Sequence, residues 1–263
     1  ESVQYTLVRN EDYWGEAPYY DEIIIKFYSE ESTRFAELQA GNLDAAYLTQ
    51  ATYVNNLSTG AVSGATLVQK ASQGVTGIQL AAGPDTVGVF SDINIRKAFA
   101  HGIQAENMVT ALGQGMYQSA SSILGPDNWA YLDVGAYEYD PELAAQCLAE
   151  AGYSVDNPLT VTVVAESTAF YTQLFEAMQG DLAQIGINLD LSGMGDFATI
   201  LPTLLSGQQE VSIGGPSNGA GNDPASLLQQ MGPLSDNALM RAQDDTLADL
   251  FNRGPSERDQ AAR

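Results

Sequence analysis

The side chains best suited to nucleophilic or metal chemistry occur once each, as His101 and Cys147. His101 lies on a predicted helix, and a catalytic triad or a His-rich metal site needs partners that this sequence lacks. Cys147 recurs with Leu143 and Ala151 every four residues, the spacing of one helical face, which predicts a small buried hydrophobe. We therefore expect structural roles for both residues, with no metal site and no cofactor.

Acidic side chains are abundant, at 33 Asp and Glu against 10 Lys and Arg. The adjacent pairs Asp244–Asp245 and Glu30–Glu31 are typical of solvated faces. A hydrolase of glycans would need two carboxyl groups across a cleft, one of them with a raised pKa, and no motif singles out such a pair. A carboxylate-based hydrolase that uses Asp196 or Asp223, and a non-catalytic protein-interaction scaffold, remain the alternatives to a ligand-binding protein.

Length and charge limit the class of protein. A chain of 263 residues with 44% apolar content can bury one large core or two ordinary ones. The formal net charge of −23 repels phosphate backbones, so we predict no nucleic-acid partner. No apolar run reaches the roughly 18 residues of a membrane span, and ESVQYTLVRN lacks the layout of a signal peptide, which predicts a soluble mature segment or fragment.

The first third of the chain predicts short strands around one helix. EIIIKFYS is a continuous apolar run, typical of a strand buried on both faces. Ser32 is predicted to cap a helix over TRFAELQA, with Phe35 and Leu38 on one face and Gly41 as its C-terminal stop. NLDAAYL, ATLVQKA and VTGIQLAA are predicted as further strands.

Two short helices and a long loop follow. DINIRKAFAHGIQAENMVTAL has apolar residues at helical spacings and predicts two helices broken near residues 104–106. GQGMYQSASSILGPDNWAYLDVG is rich in Gly, Ser and aromatic residues, and long loops of this kind are often functional. Tyr117, Trp129 and Tyr131 lie in it, where they could contact a ligand or anchor the loop on its own domain; both roles stay open.

Strands and helices alternate in the next part of the chain. Asp140 is predicted to cap a helix that has Pro141 in its first turn and Gly152 at its end. LTVTVVA, INLDLSG and EVSIGG are predicted strands, separated by helices over STAFYTQLFEAMQGDLAQIG and FATILPTLLSG, the second capped by Asp196. This order predicts parallel crossover units, in which ligands bind beyond the carboxyl ends of the strands. It points to the loops after Val164, Leu191 and Gly214.

Four segments carry a family resemblance. RNEDYWGEAPYYDEIIIKFYSEESTRFAELQAGNLDAA contains an Asn-x-x-Tyr-Trp-Gly turn before a strand, a helix and Gly-x-x-Asp, and FSDINIRKAFAHGIQAENMV contains an Arg-x-Ala helix. YDPELAAQCLAEAGYS is a Tyr-Asp-Pro helix that ends in Ala-Gly-Tyr, and AMQGDLAQIGINLDL fits Gln-x-x-Leu-x-x-Ile-Gly-Ile. In this order they resemble the family 5 extracellular solute-binding proteins, receptors of oligopeptide, dipeptide and nickel importers. The resemblance covers the chain from residue 4 to about residue 250.

The resemblance implies an α/β fold of the periplasmic-binding-protein-like type II class, with two lobes, mixed sheets and an incomplete first lobe. It places residues 1–78 in the first lobe, 79–225 in the second lobe and 226–263 in a segment that returns to the first. It implies a non-enzymatic receptor that captures a small peptide or similar solute and delivers it to the permease subunits of an ABC transporter. Such a receptor is a monomer outside the cell or in the periplasm, a lipoprotein tethered to the membrane through a segment outside this sequence.

The resemblance also implies a ligand loop after EVSIGG, where the family often has a Trp followed by an Asp. Here Pro216 stands in the place of the Trp, and Asn218 or Gly219 in that of the Asp. An Asp would pair with the ammonium group of a peptide, a charge-assisted bond of about 1.5–3 kcal/mol, so amine recognition does not carry over directly. Asp223, directly before Pro224, suits either a helix cap or a ligand contact. The ligand contacts predicted in this loop are Gly215, Pro216, Ser217, Asn218, Gly219 and Asp223.

Overall fold

The structure of the chain is a computed structural model that describes residues 4–69, 75–83, 88–214, 224 and 244–259. The chain divides into two compact units, residues 1–69 and 70–263. The predicted lobe boundaries near residues 78 and 225 stay a prediction. No helix among the described residues is long and apolar enough to cross a membrane.

The first unit consists of a two-stranded ribbon and two helices. The strands are antiparallel, with Gln4 opposite Lys26. The ring of Phe35 stacks on that of Tyr53 with their centroids 4.7 Å apart, which packs the two helices together. The elements are β1 (Gln4–Val8), β2 (Glu22–Lys26), α1 (Glu31–Gln39) and α2 (Ala51–Ser58).

The strand predicted at EIIIKFYS is confirmed as β2, but its predicted burial on both faces is wrong. Ile23, Ile24 and Ile25, which alternate between the faces, remain 49%, 48% and 41% exposed. A strand is buried on both faces only where other elements cover both, and no described element of the first unit does so.

Two other predicted strands are wrong. Residues 42–48 of NLDAAYL, and residues 65–69, the described part of ATLVQKA, form no strand. Apolar alternation favours an extended backbone, but a strand also needs a neighbouring strand as hydrogen-bond partner, and no described strand pairs with either segment.

The predicted N-cap of α1 is also wrong, although its C-terminal stop is confirmed. The helix begins at Glu31, with Glu30 rather than Ser32 in the cap position. Gly41 follows the last turn with φ of 76°, a left-handed conformation that glycine adopts without a Cβ clash. The sequence pattern misplaced the first residue of α1 because no side chain caps this helix. The carboxylate of Glu31, in its first turn, instead binds Thr49 and Gln50.

The side chain of Glu31 holds the segment that leads into α2. Its carboxylate accepts hydrogen bonds from the backbone N–H and the hydroxyl of Thr49, at 2.8 and 2.7 Å, and from the N–H of Gln50 at 2.8 Å. Desolvation alone would raise the pKa of Glu31. The hydrogen bonds from Gln50 and Thr49, together with the Arg34 guanidinium, outweigh it and hold the pKa below its ordinary value.

The second unit contains the larger sheet and most of the helices. The two helices predicted before and after residues 104–106, and the strand at VTGIQLAA, are confirmed. Its described elements are β3 (Gly77–Leu80), α3 (Ile93–His101), α4 (Ala105–Gly113), α5 (Pro141–Glu150), β4 (Leu159–Val164), α6 (Ala169–Ala183), β5 (Ile187–Asp190), α7 (Phe197–Ser206), β6 (Val211–Gly214) and α8 (Asp245–Arg253). Single 3₁₀ turns occupy Val89–Ser91, Leu191–Gly193 and Gly254–Ser256.

The sheet of this unit is mixed, as predicted. Its strand order is β3-β6-β4-β5, with β4 parallel to both β5 and β6 and with β3 antiparallel to β6. The helix α6 connects β4 to β5, which confirms the predicted crossover unit. Because the three parallel strands point the same way, their carboxyl ends meet at one edge of the sheet.

The core lies between this sheet and the helices packed on it. Leu159, Val161 and Val163 of β4 are buried, and Phe175 of α6 is fully buried. The caps predicted for α5 are confirmed: Asp140 Oδ1 accepts the N–H of Leu143 at 2.9 Å, and Gly152 has φ of 90°.

A buried carboxylate ties α6 to the junction of α3 and α4. Asp181 is only 9% exposed. Its two oxygens accept hydrogen bonds from the backbone N–H and the side-chain amide of Gln104, at 2.9 and 3.0 Å. The break between α3 and α4 is therefore held by a residue far away in the sequence.

Candidate functional site

The carboxyl ends of β4, β5 and β6 form the candidate site. Val164 of β4 is in register with Ser212 of β6, and beyond β4 the residue Glu166 forms a parallel bridge with Gly195, in the loop after β5. The N–H of Ser167 donates to the carbonyl of Gly195 at 2.8 Å. The loops after Val164 and Leu191 thus meet at this edge, whereas the predicted loop after Gly214 lies outside the described residues.

Glu166 lies at the centre of this edge. It is exposed, and it follows the last residue of β4 by two positions. The register pairs Val163 and Val164 of β4 with Val211 and Ser212 of β6, so β6 ends at the same edge of the sheet. The carboxylate of Glu166 is therefore a solvent-accessible charge at the edge where the parallel strands end.

An aromatic cluster, defined as Tyr117, Phe170 and Tyr171, lies beside Glu166. The rings of Tyr117 and Phe170 have centroids 5.1 Å apart, and those of Phe170 and Tyr171 are 5.8 Å apart. Tyr117 comes from the long loop after α4, whereas the other two lie in the first turn of α6. The ring of Tyr117 is packed against its own unit and yet remains 44% exposed, so anchoring and ligand contact are compatible.

The phenol of Tyr171 has a raised pKa. Burial raises its pKa above the ordinary value of 10, and the nearby Glu166 carboxylate and then Tyr117 raise it further. Tyr171 is therefore a neutral hydrogen-bonding group throughout the physiological range. The backbone N–H of Tyr171 is taken by the hydroxyl of Thr168, which caps α6 at 3.1 Å.

The other two aromatic residues predicted as ligand contacts lie further along the same loop. Trp129 is 40% exposed. The hydroxyl of Ser121 donates to Asp133, so the hydroxyl of Tyr131, 3.1 Å from Ser121 Oγ, is the donor to Ser121. This chain of hydrogen bonds anchors the polar end of Tyr131 in its own loop. Ligand contact by Tyr117, Trp129 and Tyr131 remains a prediction.

A cleft of about 560 Å³ adjoins the site on one side of β4, a volume typical of small-ligand pockets. It reaches the carboxyl edge at Gly195, the partner of Glu166. Part of its polar lining is already engaged, since Glu210 Oε2 accepts the N–H of Thr162 at 2.8 Å. The lining residues are Thr162, Val164, Ser192, Gly193, Met194, Gly195, Thr199, Ile200, Thr203, Gln208 and Glu210.

Asp196, one of the two acids considered for a hydrolase, is a helix cap. Its oxygens accept the backbone N–H and the hydroxyl of Thr199, at 3.0 and 2.7 Å. The Thr199 hydroxyl and then its N–H lower the pKa of Asp196. A general acid needs the opposite shift, so this carboxyl is unsuited to that role.

Six of the predicted ligand contacts lie outside the described residues: Gly215, Pro216, Ser217, Asn218, Gly219 and Asp223. Their role remains a prediction. What the structure does describe is the strand that leads into them, β6, and its register with β4.

His101 and Cys147 have the structural roles expected from the sequence. The Nδ1–H of His101 donates to the carbonyl of Glu138 at 2.8 Å, and its ring meets the edge of Tyr137 with centroids 5.2 Å apart. Cys147 is buried in the core. Within the described residues, no group of three or more His, Cys, Asp or Glu side chains could hold a metal ion.

Sequence reasoning indicated the loop after Val164, but it did not single out Glu166, Phe170 or Tyr171. An available signal was the segment ESTAFY, in which an acid and two aromatic residues directly follow a predicted parallel strand.

The fold is that of the type II periplasmic binding proteins. The family model described as "Bacterial extracellular solute-binding proteins, family 5 Middle" matches residues 1–237. The chain belongs to this family of solute-binding receptors, as the motifs in its sequence predicted.

Among similar proteins, a putative ABC transporter peptide-binding protein of Brucella ovis is 28% identical over 186 residues, which cover 70% of this chain and 34% of that protein. The periplasmic binding protein DppA of Helicobacter pylori in complex with the peptide STSA superposes with a TM-score of 0.81 and 22% identity over 98% of this chain and 50% of that one. NikA of Staphylococcus aureus in complex with Ni(L-His)2 superposes with a TM-score of 0.82 and 15% identity. The superposition covers 99% of this chain and 55% of that one. The chain thus spans about a third of the length of the curated relatives it matches and about half of these solved structures.

Proposed function

We propose that the full-length protein carrying this sequence captures a small peptide or a similar solute between two lobes and delivers it to the permease subunits of an ABC importer. It binds its solute without chemical change, as a monomer outside the cell or in the periplasm, and a segment outside this sequence tethers it to the membrane. The family and the fold support a solute-binding receptor, and the peptide class is the solute of the Brucella relative and of the Helicobacter structure.

The observation that carries the proposal is the shared carboxyl edge of β4, β5 and β6 with the aromatic cluster beside it. Parallel sheets bind ligands at this edge because the loops after several strands meet there. Flat rings such as that of Tyr117 offer apolar area at low entropic cost, which suits ligands of varied sequence. The carboxyl group of Asp196 is committed to its helix, which disfavours the hydrolase.

A thermal-shift screen of the full-length protein tests the proposal. The screen contains tripeptides and tetrapeptides of mixed sequence, nickel with histidine, and chromogenic glycosides as substrates of the alternative. A cognate solute at a hundred times its Kd stabilises the folded state by about 2.7 kcal/mol, which raises the melting temperature measurably. Hits are then measured by titration calorimetry.

Two tyrosines provide a matched pair of variants. Tyr117→Ala removes a ring of the aromatic cluster and is expected to weaken peptide binding about tenfold. Tyr137→Ala removes an equally large, 66% exposed ring that packs on His101, and it is expected to leave the affinity unchanged. Absence of stabilisation by every solute, or turnover of a glycoside, would refute the proposal.

A further inference from the structure

The helix α7 is anchored to the sheet at both of its ends. Before its start, the N–H of Gly195 donates to the carbonyl of Ala165 at 3.1 Å, and the N–H of Ser167 donates to the carbonyl of Gly195 at 2.8 Å. After its end, Glu210 Oε2 accepts the N–H of Thr162 at 2.8 Å. Thr162 belongs to β4 and Ala165 directly follows it. The ten residues of α7 therefore bridge two fixed points on the same strand.

Between these anchors the helix packs loosely on the sheet. The cleft of about 560 Å³ separates α7 from β4, since Thr199, Ile200 and Thr203 line it from the helix and Thr162 and Val164 line it from the strand. Of the ten residues of α7, all of which the structure describes, Ile200 alone is buried. The helix α6, by comparison, buries four of its 15 residues. Because tertiary packing supplies most of the stability of a helix, α7 is held weakly along its length.

The apolar side chains of α7 do not compensate for this loose packing. Phe197, at its first position, is 54% exposed, and Leu205, in its last turn, is 51% exposed. A side chain stabilises the position of a helix in proportion to the apolar area that it removes from water. These two residues therefore contribute little to holding α7 in place.

The backbone of α7 also favours opening. Pro202 lies in the interior of the helix, where it has no N–H to donate to the carbonyl of Ala198 and where its ring crowds that carbonyl. A glycine lies on each side of the helix: Gly195 precedes the cap residue Asp196, and Gly207 follows the last turn with φ of 69°. Glycine adopts many backbone conformations at low cost, so α7 can rearrange without disturbing its anchors.

We infer that α7 is a separately opening element, which unfolds locally from β4 and refolds on it while both anchors and the rest of the second unit stay folded. Opening breaks the packing of Ile200 and widens the cleft below the helix. That cleft reaches the carboxyl edge of the sheet at Gly195, so one wall beside the candidate site is adjustable. The use of this wall for solutes of different size rests on the proposed function, whereas the motion itself does not.

Hydrogen exchange followed by mass spectrometry tests the inference with the full-length protein and without any solute. Peptides that cover α7 are compared with peptides that cover α6, after correction for intrinsic exchange rates. The amides of α7 are expected to exchange about a hundredfold faster than those of α6, because local opening costs much less free energy than global unfolding. Dilute urea should accelerate exchange in α6 more than in α7, because local opening exposes little new surface.

A matched pair of proline variants tests the cause. Pro202→Ala restores an N–H in the interior of α7 and is expected to slow exchange there about tenfold or more, since Pro is much less favourable than Ala inside a helix. Pro141→Ala makes the same change at the first position of α5, where Pro fits, and should alter exchange in α5 by less than about twofold. Ile200→Ala removes the buried side chain of α7 and should accelerate exchange there about tenfold or more, with α6 unchanged.

The inference and the proposed function fail by different results. Equal exchange rates in α7 and α6, equal dependence on urea, or equal acceleration of both helices in Ile200→Ala overturns the inference, because α7 would then open only when the whole unit unfolds. Unchanged exchange in Pro202→Ala contradicts the role assigned to Pro202. No solute is present, so each of these results leaves the receptor function standing. Circular dichroism of each variant shows whether it is folded before its exchange is compared.

Discussion

Replacing Gly186, in the connection between α6 and β5, by Ala is expected to destabilise the second unit strongly. Gly186 lies between α6 and β5 with φ of 98°, a conformation that L-residues rarely adopt. A Cβ there would lie 2.4 Å from the carbonyl carbon of Ser154 and 2.6 Å from the nitrogen of Val155. Both are backbone atoms, so no side-chain rotation relieves the clash.

The magnitude follows from two costs. A left-handed conformation costs an L-residue roughly 1–2 kcal/mol, and forcing a methyl group into a packed site costs roughly 1–3 kcal/mol. Together they amount to about 2–5 kcal/mol, a large share of the roughly 5–15 kcal/mol that stabilises a typical domain. For a unit of this size the melting temperature should fall by about 4–20 °C.

The assay is thermal and urea unfolding followed by far-UV circular dichroism. Gly180→Ala is the matched control: it adds a methyl in the interior of α6, where nothing lies within 4 Å of the new Cβ. Because Ala favours helices more than Gly, this control should be stabilised by about 0.5–1 kcal/mol. A loss below 1 kcal/mol for Gly186→Ala would refute the argument from backbone conformation and close approach.

Three further predictions concern carboxylates that hold the fold. Asp181→Ala leaves two donors of Gln104 without their buried acceptor and should cost about 2–4 kcal/mol in urea unfolding, whereas solvated acids should cost little. The pKa of Glu31 is lower in the folded state than its ordinary value of 4.5. The ionised carboxylate therefore stabilises the fold fully above pH 4.5, and this stabilisation is lost as the pH falls through the folded-state pKa. The stability difference between wild type and Glu31→Gln should be larger at about pH 7 than at about pH 3. Asp140→Ala removes the cap on Leu143 and should cost about 1 kcal/mol, and an unchanged unfolding midpoint would contradict the assigned cap.

Several residues that carry the family resemblance prove to serve the fold. Gln179 Nε2 donates to the carbonyl of Leu189 at 2.7 Å, which satisfies an acceptor of the edge strand β5. Arg96 binds the carbonyls of Phe90 and Ser91 in the turn before α3. Gly186 permits the close approach described above. These family motifs therefore predict the fold and do not identify the solute.

The predictions that were wrong depended on contacts with residues distant in the sequence. β2 was recognised from its run of isoleucines, but burial on both faces depends on which elements cover it, and Ile23, Ile24 and Ile25 are all exposed. NLDAAYL was expected as a strand, but strand formation needs a partner that the local sequence does not specify. The cap of α1 was misplaced because Glu31 contacts Thr49, beyond the reach of a local pattern.

The sequence by itself determined the helices and strands from α3 to β6. Their N-caps, their C-terminal glycines and their apolar periodicity depend only on residues a few positions apart in the chain. The sequence also determined the parallel arrangement, since a helix that follows one strand returns the chain to the edge where that strand began, so the next strand runs in the same direction. Only the tertiary structure placed Tyr117 against Phe170 and set Glu166 beside Tyr171 at the sheet edge. Those contacts depend on strand register and helix packing, which arise from the whole core at once and not from any one segment.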